Sequence, residues 1–508
     1  MNKKIAEITG MIIPEISFGK KEFLRHEGGN TAVLSLKQVK EMDSYQITLE
    51  QAGFEKREEH CFGTARFVTY VKNGDMVLLS FYPSIGQIRL VAEPESLEYQ
   101  DKRREDCTTS LFTQIDLEDF GLSDVIRLSD GRFIILDGGY DFDVDEEKLF
   151  RCLKEQSPFE TPVIALWIMT HPHNDHYPVF FGFWERYGKE VEIQGFLYNF
   201  PDGVEDLLEV VPADEVEGLN RFHNLVQSLK IPYYRAHTGQ VYQVSNARIE
   251  VLSSPDDTFF DEVIDHNIMS LILKVNIEGQ TLLLPGDGYF DFSRLPERYG
   301  TYLKSDILQV PHHGFYGGTA EGYRLIDPDV VIVPVSEHNF YYMTDIYRPY
   351  NQALVYDNHV KELRTGTKEP CTLELPYSYK ENGKKMLFDK IEQSRREMGA
   401  TSWVFTDMTL EDCVFETINM TAHSTEISVF LYFEDRSQYV SHIKYHAQDR
   451  RVTKTDFSKE EDLDGDALYY NPDSLAKKGI PQGARFAVHF SSKVPVIITG
   501  KKVPTYHY

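Results

Sequence analysis

The chain has 508 residues, 41% of them hydrophobic and 26% charged, the balance of an ordinary globular protein of two or three domains. Its net charge of −27 argues against a basic face built to hold long stretches of nucleic acid, though it leaves room for a local basic groove. No apolar run reaches the length that spans a bilayer. Lys3 and Lys4 start like a signal peptide, but Glu7 interrupts the short apolar region and no clear cleavage site follows, so a cytoplasmic location is expected. Cys61, Cys107, Cys152, Cys371 and Cys413 are odd in number and never form a Cys-x-x-Cys pair. That argues against a disulfide framework or a structural zinc ribbon and leaves reduced core residues.

Residues 1–105 read as a small α+β module. A short strand is expected over Gly29–Leu36. A helix over Val39–Ala52 has Val39, Met42, Tyr45 and Leu49 on one face and stops at Gly53. Three strands follow, Thr64–Val71, Met76–Tyr82 and Gln87–Val91, punctuated by Asn73-Gly74 and Pro83-Ser84. His60, beside Cys61, is too isolated to be a ligand.

Residues 106–378 have a different pattern. Strands are expected at Ser110–Ile115, Asp124–Leu128 and Arg132–Leu136, the last two joined by a turn at Ser129-Asp-Gly131. A helix over Glu146–Gln156 leads to a continuous apolar strand, Val163–Met169, and then to His171-Pro-His173-Asn-Asp175-His176. Imidazole and carboxylate suit zinc, iron or manganese. Residues two apart in an extended segment point the same way, so His171 and His173 can grip one metal. Asp175 and His176, a turn further on, then face a second. Helices are expected over Glu205–Val211 and Glu217–Leu229, the latter with an apolar face on which His223 is structural. Strands at Val241–Val244 and Ala247–Leu252 precede Asp265-His266-Asn267, which enters a strand ending at Val275. Others end in Pro285-Gly-Asp287 and Val310-Pro-His312-His313-Gly314, and Pro328–Ser336 carries the last core strand.

The His-x-His-x-Asp-His string resembles the signature of the metallo-β-lactamase-fold hydrolases, which implies an αββα sandwich within an α/β protein. Asn267-x-x-Ser270-Leu271, Pro285-Gly-Asp287 and Val310-Pro-His-His-Gly314 narrow the resemblance to a subgroup. That subgroup comprises the metallo-β-lactamase-like domain of bacterial competence DNA-uptake channels and relatives that include phosphocholine esterases. The likeness covers roughly residues 108–375. A His-Pro pair expected late in that subgroup is replaced by Arg348-Pro349, with Glu337-His338-Asn339 before it, which weakens the case for a DNA substrate.

The resemblance implies two divalent metals, zinc first with manganese or iron as alternatives. Their ligands would be His171, His173, Asp175, His176, His266, Asp287 and the His312/His313 pair, with Asp287 as the bridge. One of the histidine pair completes the second metal and the other bonds substrate or supports the site. Either His266 or Asn267 stands at the first metal, His266 being preferred. Asp137, in Asp137-Gly-Gly139, is either an orienting residue for the ligand loop or a simple turn. Chemistry is expected at Asp175, His176, Asp287 and His313. The implied reaction is hydrolysis by a hydroxide shared between the metals, on a phosphodiester or other small-molecule ester. A carbonyl-centred hydrolase and a metal-containing binding or sensing protein are the alternatives. A redox role for iron finds no support from a flavodoxin-like partner domain.

Residues 379–508 read as a β-rich module able to bind a partner or form oligomers, reached through a charged connector over Lys380–Arg396. Strands are expected at Ser402–Phe405, Glu426–Phe433, Tyr439–His446 and Arg485–Phe490. The run Val494-Pro-Val-Ile-Ile498 suits an edge strand.

Overall fold

A computed structural model describes residues 2–25, 30–119, 121–201, 213–258, 266–314, 317–334, 359–365, 369–380, 401–433, 440–456 and 483–507. The chain forms two compact units. One comprises Met1–Gly317, Ile332–Ser336 and Thr365–Ser378; the other comprises Gly318–Val331, Glu337–Arg364 and Tyr379–Tyr508. The expected boundary near residue 105 thus falls inside the first unit. The helix expected over Glu205–Val211, most of the connector, and the Glu337–Asn339 and Arg348-Pro349 segments lie outside the described residues.

The first unit opens on helix α1 (Asn2–Thr9) and an antiparallel sheet of β1 (Lys20–Arg25), β2 (Ala32–Lys37), β3 (Glu55–Phe62), β4 (Ala65–Lys72), β5 (Asp75–Tyr82) and β6 (Gln87–Pro94), in the order β1-β2-β6-β5-β4-β3. Helix α2 (Asp43–Gln51) packs Met42, Tyr45 and Leu49 against Leu34, Tyr70, Leu79 and Leu90 of this sheet. The β4–β5 turn works because Asn73 and Gly74 both take positive φ, 52° and 86°, the geometry that matches strand twist. Strand β3 was not expected: its Glu-Lys-Arg-Glu-Glu-His run has no apolar alternation. It lies at the sheet edge, where charge discourages pairing with another chain. His60 Nε2 there lies 3.1 Å from the Glu58 carboxylate.

The second sheet holds β7 (Ser110–Gln114), β8 (Ser123–Arg127), β9 (Phe133–Asp137), β10 (Val163–Ile168), β11 (Glu192–Ile193), β12 (Phe196–Tyr198), β13 (Tyr233–Arg235) and Cys371–Leu375. Strand β10 runs parallel to both β9 and β12, and all six of its residues are buried, as a central strand covered on both faces requires. Helices α3 (Asp143–Gln156), α4 (Val179–Tyr187) and α5 (Ala213–Leu229) share a core with it, built on Trp167, Phe180, Phe183 and Phe222.

A third sheet runs β14 (Val241–Val244), β15 (Ala247–Ser253), β16 (Ile272–Ile277), β17 (Gln280–Leu284) and β18 (Ile307–Gln309), with Ile332 accepting from Val310 beyond it. Together the second and third sheets and their helices give the mixed α/β fold expected from the sequence.

The N-terminal sheet is joined to this fold by buried charge. His237 donates from Nε2 to Glu93 at 2.7 Å and from Nδ1 to Asp256 at 2.6 Å. Asp257 faces Arg298 at 3.2 Å and Arg89 at 3.6 Å.

Two expectations need correction. Cys61 and Cys107 are exposed rather than core residues, leaving Cys152, Cys371 and Cys413 buried. His266 enters no strand directly: residues His266–Met269 form a 3-10 turn, which lets the chain change direction before β16.

The second unit has a five-stranded sheet. Thr425–Phe433 lies between Val440–Ala447 and Phe486–Ser492, and Thr401–Met408 follows Phe486–Ser492. In its three-stranded sheet Val496–Gly500 is an edge strand, directly after Pro495. Phe405, Phe415, Val429, Val488 and Phe490 form the core.

Candidate metal centre

The geometry of the site follows from strand direction. Strand β9 is parallel to β10, and β17 to β18, so the loops after Asp137, Ile168, Leu284 and Gln309 leave from carboxyl ends. Strand β16 is antiparallel to β17, with Leu273 opposite Leu284, so the turn that precedes β16 arrives where β17 ends. Residues distant in sequence therefore meet. Backbone bonds pin the loops together: Leu271 N–H donates to Thr170 C=O at 3.0 Å and His312 N–H to Gly286 C=O at 3.0 Å. Gly286 has φ 55°, and a Cβ there would sit 3.0 Å from the Thr170 side chain.

Asp287 is at the centre and 1% exposed. Its Oδ2 lies 3.2 Å from His176 Nε2, 3.4 Å from His313 Nε2, 3.7 Å from His312 Nε2 and 3.9 Å from His171 Nε2. Asp175 Oδ2 is 3.1 Å from His313 Nε2 and 3.7 Å from His176 Nε2. One ligating atom from each of Asp175, His176, Asp287 and His313 lies within 4.8 Å of the other three. His171 sits beside this group, its ring 4.1 Å from that of His176 and 4.7 Å from that of His173. The His173 ring is in turn 5.4 Å from that of His266. All eight ligand candidates named from the sequence are thus gathered at one end of the fold.

Left-handed backbone aims the histidine pair: His312 and His313 have φ 48° and 51°, a region that costs a non-glycine residue energy and persists where its surroundings enforce it. His313 is buried and reaches both carboxylates. His312 is partly accessible and lies 3.3 Å from the Tyr289 hydroxyl through Nδ1. Asn267 stands next to His266, at the edge of the group, 9% exposed.

Asp137, buried and also at positive φ (53°), accepts from Thr170 N–H at 2.7 Å and from the Thr170 hydroxyl at 2.6 Å. Its Oδ2 also meets His176 Nδ1 at 2.8 Å, which turns Nε2 of that ring toward Asp287. Thr170, the residue between the strand and the motif, was not singled out from the sequence, since threonine after an apolar strand carries no distinctive signal. Glu215 was also missed. Its carboxylate stands 3.6 Å from His266 Nδ1, and Pro212 followed by an acidic run was the available sign that a helix begins there.

The donor set fits divalent cations. His171 Nε2, His176 Nε2 and Asp287 Oδ1 are buried with no hydrogen-bond partner among the described residues, a costly arrangement for polar atoms unless a further group meets them. Burial, and then the neighbouring His176 and His173, hold His171 well below the usual imidazole range. Burial and His173 likewise push His266 down to about 4. Both rings therefore offer lone pairs at neutral pH. Burial opposes ionisation of Asp287, but the imidazoles of His176, His313 and His312 outweigh it and hold the carboxyl well below its ordinary value. Burial also works against a charged His313, yet Asp287 and Asp175 carry it up to about 9. His313 is therefore protonated where only the carboxylates meet it; a cation held by the same atoms would displace that proton and leave the anionic oxygens and neutral imidazoles that a transition-metal site needs.

No protein-family model and no curated protein matches the chain. Among solved structures it is similar to the metallo-beta-lactamase fold protein YhfI from Bacillus subtilis, at 12% identity and a TM-score of 0.30 over 44% of this chain and 85% of that one. It is similar to unliganded yeast PDE1 at 14% identity and a TM-score of 0.27, over 45% and 88% respectively. It is also similar to CmlA, a diiron beta-hydroxylase from Streptomyces venezuelae, at 10% identity and a TM-score of 0.28, over 46% and 47%. Likeness at these scores assigns neither a residue nor a reaction.

Proposed function

We propose that the chain is a dinuclear metal-dependent hydrolase, acting on a phosphodiester. The observation that carries this reading is the convergence of His171, His176, Asp287 and His313 from three separate strand ends, with His171 Nε2, His176 Nε2 and Asp287 Oδ1 buried and unbonded among the described residues. Asp175, His176, Asp287 and His313 would hold one cation and His171 with His173 the other, Asp287 lying between them. Two divalent ions held there supply an activated water at neutral pH and neutralise the charge that develops in an in-line displacement. Asp137 fixes the His176 ring through the bond to Nδ1, and Thr170 fixes Asp137 in turn. His312 and Tyr289 stand on the accessible side, where an imidazole and a phenol can donate to a non-bridging oxygen of an anionic substrate.

The test is metal analysis of the purified protein together with a panel of esters. About two zinc, manganese or iron ions per chain, with turnover of bis-p-nitrophenyl phosphate, is the expected result. Two metals with turnover of lactones or thioesters alone would move the reading to carbonyl chemistry. Metal without turnover of any ester would leave a binding or sensing role.

A further inference from the structure

We infer that Glu215, projecting from the first turn of α5, is a ligand of the first metal, joining His173 and His266 beside His171. This rests on the dinuclear reading and sharpens it. One ligating atom from each of these three residues lies within 4.8 Å of the other two. His266 is 3% exposed, and neither of its ring nitrogens has a hydrogen-bond partner among the described residues. Nδ1 stands 3.6 Å from Glu215 Oε2, too long for a hydrogen bond and suited to two ligands that flank a common ion. A buried imidazole aimed at a carboxylate and a second imidazole, bonded to neither, is a donor set waiting on a cation.

The helix is built to bring Glu215 there. Val216, Leu219, Phe222 and Val226 seat α5 in the core around Tyr177 and Phe180. Gly218, three residues after Glu215 and so on the same side of the helix, is a point of close approach. A Cβ at Gly218 would lie 2.4 Å from the Tyr177 hydroxyl and 4.0 Å from Asn174 Oδ1, in the loop that carries His173 and His176. The missing side chain lets the first turn of α5 reach the metal loop. The mixed nitrogen and oxygen set suits a divalent transition metal such as manganese, iron or zinc.

The test is metal binding by the full chain stripped with a chelator, titrated with Mn²⁺ and with Zn²⁺ and read by calorimetry and elemental analysis. The wild type should take two ions. Glu215→Gln, which keeps the side-chain volume, and Glu215→Ala should each keep one ion and weaken the other at least tenfold. Glu217→Gln, an exposed change on the same helix, should keep both. Circular dichroism reports whether each variant is folded, and the absorption of wild-type protein loaded with one and then two Co²⁺ ions gives a readout that needs no variant. Two ions bound with unchanged affinity by Glu215→Gln would overturn the assignment of Glu215 and leave the dinuclear reading standing. A wild type that binds no metal would overturn both.

Discussion

Asp287 holds the site together because, among the described residues, it is the one carboxylate within 4 Å of four imidazoles, those of His171, His176, His312 and His313. Replacing it by asparagine keeps the shape and removes the charge. Asp287→Asn is expected to lower kcat/KM on the phosphodiester probe by roughly a thousandfold, with metal content falling below two per chain and circular dichroism unchanged. Asp137 acts one step further out. Asp137→Ala leaves the Thr170 N–H and His176 Nδ1 without their acceptor, so metal affinity should fall by roughly 10- to 100-fold. Stability should drop by about 1–3 kcal/mol for the buried donors left unmet. Unchanged metal affinity in this variant would reduce Asp137 to a turn residue.

At the scale of elements, local information was the easily read part. The alternation in His171-Pro-His173 and the unbroken apolar run before it are properties of neighbouring residues, and β10 stands within one residue of its expected end. The meeting of His266 with Asp287 needs the antiparallel pairing of β16 with β17, which no local pattern states. Glu215 was hidden for a different reason: its helix was expected to start at Glu217, whereas α5 begins at Ala213. Glu215, which precedes the expected helix, lies in the first turn of α5, where negative charge complements the helix dipole. The C-terminal strand Val414–Asn419 escaped notice because its inward Phe415, Thr417 and Asn419 are mostly polar.

Gly218 tests the packing of α5 directly. In an open helix Gly→Ala adds about 1 kcal/mol of stability. Here the added methyl meets the Tyr177 hydroxyl, and such overpacking costs typically about 1–3 kcal/mol, so Gly218→Ala should lower stability instead. Urea denaturation of Gly218→Ala, Tyr177→Phe and the double variant checks this: removing the hydroxyl should restore part of the loss, a positive coupling between the two sites.

For the molecule as a whole, His237 ties residues on either side of position 105. Burial works against its charge, but Glu93 and Asp256 raise it to about 10, above an unfolded value near 6.5. The stabilisation from this proton is therefore complete below about pH 6.5 and is lost as pH rises through about 10, with a total of a few kcal/mol. The melting temperature should fall across that window, and His237→Gln should flatten the dependence while lowering stability at neutral pH. An equally steep decline in His237→Gln would assign the effect elsewhere.

The same buried contact bears on how the protein can be dissected. Trimming it to the segment around the histidine motif, by starting expression near residue 106, would take Glu93 from His237 and Arg89 from Asp257, and would uncover Tyr299 and Tyr302 where Phe62 and Tyr82 had packed. The shortened product should be recovered mainly in inclusion bodies, and an assay on it would read inactivity that belongs to the cut rather than to the intact chain.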